Sequence, residues 1–451
     1  MRAKPRDLAL LVLNRLSRES GHPKALLDEV YHRNARLTPR DKAFINQLVQ
    51  GVLRWRLRLD WVIEHVSDAP LGRITSNVLN VLRLALFQMF YLDRVPTSAA
   101  VNEAVEQVKR HGPRHVIAFV NALLRTADRQ REAIPFPDPL KEQPLYLSVF
   151  HSYPLWLVEK WIDQWGAPFT ERLLEAGNRV PRLSVRVNQI KLDRDRLISR
   201  LAEEGVVGTP CNYSPVGVVL DSFRGRVDAL RAFREGLFQV QDEAAQIVSQ
   251  CLAPQAAEAV IDICAGLGGK ATHLAEIMMD QGGVLSLDKD PRRLIILSES
   301  ARRLGIHGIA PVAADATGSL ESLFPGGFDK IVVDAPCSGL GVLARHPDGK
   351  WNRKAGDVTR LSQMQIDMLR QAASILRQGG KMLFVVCTLS REENEDVVES
   401  LLACQKDIVL QDMRDVAPVW VRPLIDDRGF LKTFPHIHHM DGFFAALFTR
   451  I

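Results

Sequence analysis

The stretch Val260-Ile261-Asp262-Ile263-Cys264-Ala265-Gly266-Leu267-Gly268-Gly269-Lys270 decides the fold. Its apolar first half, bounded by a glycine-rich turn, reads as a buried strand, and 271–279 beyond the turn has helical spacing. Glycines at such a turn let the backbone approach a ligand closely at the helix N-terminus, where unpaired N–H groups gather. The spacing Gly266-x-Gly268-x-x-Ala271 fits a relaxed dinucleotide fingerprint, and Asp288, closing the next strand, is placed to accept hydrogen bonds from a ribose. A Walker-type phosphate loop is excluded, because Cys264 and Ala271 stand where that motif needs its first glycine and its hydroxyl. The turn predicts a nucleoside-cofactor site, with the kind of nucleoside left open.

Working outward, apolar strands over 284–288, 310–314, 330–334 and 381–386 alternate with helical stretches, which predicts a doubly wound, mainly parallel sheet over residues 255–451. Open sheets of this kind bind ligands beyond the carboxyl ends of their strands. Asp334-Ala335-Pro336-Cys337-Ser338-Gly339 puts an acid and a thiol at that edge, and Cys387 ends another strand on it. The six cysteines contain no CxxC pair and no framework spacing, which argues against zinc and disulfides. A lone buried cysteine is ordinarily a small core hydrophobe. Two thiols beside an acid and a glycine loop instead suggest covalent chemistry. The run Pro435-His436-Ile437-His438-His439 has no fourth ligand at useful spacing and reads as a solvated loop, so no metal is expected.

Upstream, apolar residues recur at three- and four-residue spacing over 5–18, 23–33, 39–59, 59–66, 76–92, 98–110 and 114–125, which makes residues 1–135 an all-helical domain. Thr38 and Pro39 mark one helix start as N-cap and first helical position. Four prolines within 134–144 form a linker, and 145–254 mixes helical and strand patterns as a small α+β domain. Trp156, Trp161 and Trp165, at helical spacing there, belong to a core or an interface before they belong to stacked bases. Residues 1–150 carry 23 Lys and Arg against 15 Asp and Glu, net +8, while the rest of the chain nets −3. A basic helical module on a near-neutral remainder has the composition of a nucleic-acid-binding appendage, and equally of an arginine-rich surface. No run approaches the roughly 18 apolar residues of a membrane span, and the charged amino end, 1–7, leads into no secretory signal, so a cytoplasmic protein is expected.

Asp334-Ala335-Pro336-Cys337-Ser338-Gly339, then Arg345-His346-Pro347-Asp348 with Lys350-Trp351, then Cys387 with Glu392-Glu393-Asn394, resemble the RNA five-methylcytosine methyltransferases of the NOL/NSUN/Sun family. Gly51-Val52-Leu53-Arg54, Asp93-Arg94-Val95-Pro96 and Phe119-Val120-Asn121 are similar to the NusB antitermination-factor fold. Arg186-Val187-Asn188, Gln241-Asp242-Glu243 and Asp441-Gly442-Phe443-Phe444 extend the likeness over essentially the whole chain. The resemblance implies a NusB-like helical RNA-binding domain, a small α+β domain, and a Rossmann-like class I methyltransferase domain with a mainly parallel seven-stranded sheet. S-adenosylmethionine is the implied cofactor, on Cys264, Ala265, Gly266, Leu267, Gly268, Gly269, Lys270, Asp288, Asp315 and Asp334. The implied partner is RNA, small-subunit (16S) ribosomal RNA above all, and a monomer without membrane or metal is expected. Cys387 matches the family's nucleophile, while Asp334 and Cys337 match the acid and thiol of its fourth motif. In two places the chain departs from the pattern: Gly266-Leu267 replaces the usual Ala-Pro of the loop, and Val386 replaces a threonine before the nucleophile, removing a hydroxyl near Cys387.

The chemistry explains why such groups are wanted. Carbon 5 of cytosine is too electron-poor to attack a methyl group until a thiolate adds to carbon 6. An acid can hold the base edge as charge develops, and the base must be unstacked to reach it. Glycine spacing alone also admits a nicotinamide-dependent Rossmann dehydrogenase, and the helical half alone a noncatalytic RNA-binding or assembly protein. The Pro-Cys-Gln motif of DNA cytosine methyltransferases and the Asn/Asp-Pro-Pro-aromatic loop of amino-group methyltransferases both fail to match.

Overall fold

The computed structural model describes residues 4–19, 21–110, 113–221 and 223–451; Met1 to Ala3 of the charged amino end lie outside them. The chain divides into two compact units, Met1–Arg179 with Leu343–Asn352, and Val180–Val342 with Arg353–Ile451. The break at Arg179 falls inside the segment whose sequence pattern is mixed.

The first unit is helical, as the apolar spacing predicts, through Pro5–Leu16, Pro23–Arg33, Pro39–Val66, Ser76–Tyr91, Thr97–Lys109 and Arg114–Arg129, followed by Gln143–His151, Leu155–Trp165 and Ala167–Asn178. Thr38 accepts from the Asp41 N–H and Asp41 from the Thr38 N–H, a reciprocal capping box. The expected break at Leu59 is absent: Pro39–Val66 is one helix of 28 residues, because no proline or glycine interrupts it there and Leu59 is itself fully buried. Gly51 is needed where this helix crosses Ser76–Tyr91, since a Cβ at 51 would lie 1.9 Å from the Phe87 ring. Trp161 is 1% exposed, a core residue. The segment Leu343–Asn352 completes the unit. Its Lys350 Nζ, fully buried, donates to Arg54 O, Ser152 O and Asn178 Oδ1 at 3.1, 3.1 and 2.7 Å, and Trp351 Nε1 donates to Leu53 O at 2.6 Å.

The second unit contains two sheets. Strands β1 (Leu183–Val187), β2 (Gly208–Pro210), β3 (Gly217–Leu220) and β4 (Phe238–Val240) form an antiparallel sheet in the order β2-β3-β1-β4. Strands β5 (Ala259–Ile263), β6 (Gly283–Asp288), β7 (Ile309–Ala313), β8 (Phe328–Asp334), β9 (Leu376–Val386), β10 (Ile408–Gln411) and β12 (Phe444–Arg450) form the larger one, with the two-residue β11 (Leu431–Lys432) beside β12. Its order is β10-β12-β9-β8-β5-β6-β7: the seven-stranded path expected, parallel from β7 to β9, with β12 antiparallel to both its neighbours. Buried β-branched and aromatic side chains such as Ile261, Val333 and Phe384 form the layer beneath the helices. Strand order reverses between β5 and β8, and a crevice at their carboxyl ends is where such sheets take ligands. No helix among the described residues is long and apolar enough to cross a membrane.

Candidate active site

The glycine loop leaves β5 through Cys264, held at φ +67°, and passes Gly266 (φ +57°) and Gly268 (φ +83°) into the helix Gly269–Ile277. The second glycine is doubly required: its φ is left-handed, and a Cβ would meet Leu297 Cγ at 2.5 Å. Asp288, buried at the end of β6, accepts from the Gly266 N–H at 2.9 Å and from the Asp290 N–H at 2.8 Å. The acid read as a ribose partner thus also fixes the loop. Leu267, one of the two departures in the loop, is 48% exposed. Asp315 follows β7 on the same edge, where the Thr317 N–H and hydroxyl hold its carboxyl below the usual range.

Lys270 is not spent on the loop. From the first turn of the helix its Nζ reaches Asp334 Oδ2 at 2.7 Å, at the end of β8. Burial opposes the charge on Lys270, but Asp334 and Asp262 outweigh it and raise its pKa. Asp262, in the middle of β5 and 1% exposed, has an Oδ1 without a hydrogen-bond partner; burial first, then Asp334, pushes its carboxyl up to about 8.

The two thiols meet. Cys337 Sγ lies 3.2 Å from Cys387 Sγ, and both cysteines are free. The contact with Cys387, then burial, raises Cys337 well above an ordinary thiol. Cys264 is also raised, by burial and by the surrounding acids, and packs on Met368.

Sequence reasoning missed what holds these thiols. Glu393, fully buried, accepts from the Ser338 N–H at 2.8 Å and from Gln365 Nε2 at 3.1 Å through one oxygen, and from the Ser338 and Thr388 hydroxyls through the other. Gln365 Nε2 also donates to Pro336 O at 2.9 Å, and Arg353 Nε to Ser338 O at 2.9 Å, so both flanks of Cys337 are fixed. The hydroxyl that Val386 removes before Cys387 has a counterpart after it in buried Thr388, which is part of this network. On the other side the Gly341 N–H donates to Cys387 O at 3.1 Å and the Gly442 N–H to Gly341 O at 2.9 Å. A Cβ at Gly341 would fall 1.9 Å from Gly442 O, and one at Gly442 would fall 2.9 Å from Leu389 Cδ2 and 3.0 Å from Gly341 Cα, so both positions are tight. The only signal in the chain for this framework was the run Glu392-Glu393-Asn394 itself. The histidine run is not a loop: Pro435–His438 is one helical turn, with His438 Nδ1 accepting from the Phe434 N–H at 2.9 Å.

The arrangement therefore offers a glycine cradle flanked by acids on neighbouring strands, a lysine-held carboxylate, and a thiol pair on one sheet edge. Residues 249–449 match the 16S rRNA methyltransferase RsmB/F family, 3–129 the NusB family, and 153–227 a ferredoxin-like domain of RsmF/B-like methyltransferases. A probable ribosomal RNA small subunit methyltransferase B of Bacillus subtilis is 34% identical over 98% of this chain and 97% of its own length. The corresponding protein of Synechocystis is 34% identical over 98% of both. Among solved structures, PH0851 superposes with a TM-score of 0.79 at 24% identity over the whole of both chains, and NSun6 from Pyrococcus horikoshii with SFG gives 0.57 at 22% over 65% of this chain and 97% of that one; these two likenesses concern the fold.

Proposed function

Since the chain belongs to the ribosomal RNA small subunit methyltransferase B family, we propose that it methylates carbon 5 of a cytosine in 16S ribosomal RNA, with S-adenosylmethionine as donor and a covalent cysteine–cytosine intermediate. Family membership sets aside the nicotinamide and noncatalytic readings. The observation that carries the finer proposal is the contact between Cys337 and Cys387 beside the Lys270–Asp334 pair.

The cradle suits the cofactor: left-handed backbone at Gly266 and Gly268 turns the loop into the N-terminus of the helix Gly269–Ile277, and Asp288 and Asp315 stand at the ends of adjacent strands where ribose hydroxyls and a base amine would need acceptors. The P. horikoshii NSun6 structure contains SFG, an analogue of the same cofactor, at the likeness described. When bound, S-adenosylmethionine supplies an electrophilic methyl group. The chain's own residues do the rest. Cys387, after its proton has passed to solvent, adds as thiolate to carbon 6, breaking the 5,6 double bond and placing electron density on carbon 5. Lys270 occupies Asp334 Oδ2, leaving Oδ1 to accept from the exocyclic amine of the base and from the ring nitrogen once that nitrogen takes up a proton from solvent as charge builds there during addition. Once carbon 5 is methylated its proton passes to solvent water, the electron pair of that C–H bond restores the double bond, and the Cys387–carbon 6 bond breaks with the sulfur leaving as thiolate. Cys337 assists that release from its fixed position against Cys387. The helical unit, which carries most of the basic excess, supplies the electrostatic part of RNA binding.

The test uses the two thiols, which have opposite consequences. Cys387→Ala should abolish both methylation and any protein–RNA adduct, whereas Cys337→Ala should leave an RNA-linked species that survives denaturing gels. An adduct that persists in Cys387→Ala and vanishes in Cys337→Ala would reverse the assignment. Wild-type turnover in both would end the covalent mechanism.

A further inference from the structure

Arg186 lies on β1, in the small antiparallel sheet and outside the cofactor-binding sheet, yet four of its five side-chain hydrogen bonds go to the glycine-loop helix, the fifth going to Gln241 just after β4. It is 0% exposed. Nε donates to Glu276 Oε2 at 3.0 Å; Nη1 to Gly269 O at 2.8 Å and to Gln241 Oε1 at 2.5 Å; Nη2 to Thr272 Oγ1 at 3.1 Å and to Glu276 Oε1 at 2.8 Å. That is one bond for each of the five donors a guanidinium owns. Thr272 in turn donates its hydroxyl to Gly268 O at 2.7 Å, so the carbonyls of both loop glycines, 268 and 269, are tied to Arg186 directly or through one atom.

Stability does not explain this placement. A cation at the first turn of a helix opposes the helix dipole, and a fully buried ion pair is about neutral against an apolar pair of the same shape. What the arrangement does supply is direction: a planar fork can hold two oxygens in fixed relative positions, and here they belong to the turn that presents the loop's N–H groups. Asp288 fixes the first half of the loop at the Gly266 N–H, and Arg186, directly and through Thr272, reaches the carbonyls of the second half. We propose that Arg186 is a positioning residue for the cofactor loop, through which the small antiparallel domain sets the shape of the S-adenosylmethionine site; this rests on reading the loop as that site.

Titration calorimetry of the full-length chain with S-adenosylhomocysteine, beside thermal unfolding, tests it. Arg186→Met alone strands the Glu276 charge and should lower the melting temperature, so the informative variants are Arg186→Met/Glu276→Leu, which removes the pair as a unit, and Arg186→Lys, which keeps the charge but not the fork. The double variant should melt near the wild type and bind S-adenosylhomocysteine at least tenfold more weakly, with RNA affinity unchanged; Arg186→Lys should show the same loss. Wild-type S-adenosylhomocysteine affinity in a folded double variant or in Arg186→Lys would reduce Arg186 to a core ion pair and overturn the proposal. A folded wild-type chain that binds RNA but not S-adenosylhomocysteine would instead overturn the cofactor reading beneath it.

Discussion

Replacing Glu393 by alanine separates the thiols from the frame that holds them. The carboxylate receives the Ser338 N–H, the Gln365 amide and two hydroxyls inside the protein. The hydroxyls can turn to each other, since Ser338 Oγ and Thr388 Oγ1 are already 2.7 Å apart, but the Ser338 N–H and the Gln365 amide would lose an acceptor. Each stranded buried donor costs about 1–3 kcal/mol, or about 2–6 kcal/mol for the two. Part of this is offset because burial already disfavours the charge on Glu393, raising its pKa. A net loss of about 2–4 kcal/mol is expected for Glu393→Ala, against about 1 kcal/mol for Glu393→Gln, which keeps one oxygen for the Ser338 N–H and loses only the charge assistance. Functionally, Ala should free Cys337 from its place beside Cys387. Adduct release should slow, so that a denaturation-resistant protein–RNA species accumulates as in Cys337→Ala, while Gln should turn over near the wild-type rate. Thermal unfolding and a gel time course with S-adenosylmethionine and RNA measure the two effects. The holding role would be refuted by an alanine variant that melts and turns over like the wild type. A glutamine variant as impaired as alanine would refute it too, since charge rather than support would then be the contribution.

Asp288→Ala removes the acceptor of the Gly266 N–H along with the proposed ribose partner, and calorimetry should show cofactor binding weakened by about 1–3 kcal/mol; equal affinity would show that the loop holds its shape without it. Asp262 carries a pH signature. Its carboxyl is raised in the fold, so the stability it contributes is fully present below about pH 4 and is lost as pH rises through about 8. Urea unfolding from about pH 5 to about pH 9 should therefore slope downward in the wild type and be flatter in Asp262→Asn; parallel slopes would place the titration elsewhere.

Much of this was legible in the sequence because its causes are local. Helical spacing located the first six helices to within a few residues, apart from a false break at Leu59 in the third, and a strand running into Gly266 and Gly268 announced both the sheet and its ligand edge. What escaped has long-range causes. Arg186 meets Glu276 across 90 residues and Ser338 meets Glu393 across 55, and neither separation leaves a periodic mark. Strand β12 escaped for a different reason: Phe443-Phe444-Ala445-Ala446-Leu447-Phe448 is buried on both faces, so it shows neither alternation nor a helical stripe.

The excursion Leu343–Asn352 has a consequence for how the protein is made. The helical unit is discontinuous in the chain: Arg54 finds Ala344 O, and Asn178 finds Lys350, only once the ribosome has passed residue 350. At about 5–20 residues per second, the roughly 160 residues between Arg179 and Leu343 take about 10–30 s to translate. Through that interval the nascent helices wait with the seat of a buried lysine empty, and vectorial folding, one domain finished before the next begins, is denied to this chain. A polypeptide released between residues 179 and 343 retains the helices but not the segment that closes them, which couples completion of the helical half to synthesis of the thiol-bearing loop that immediately precedes the excursion.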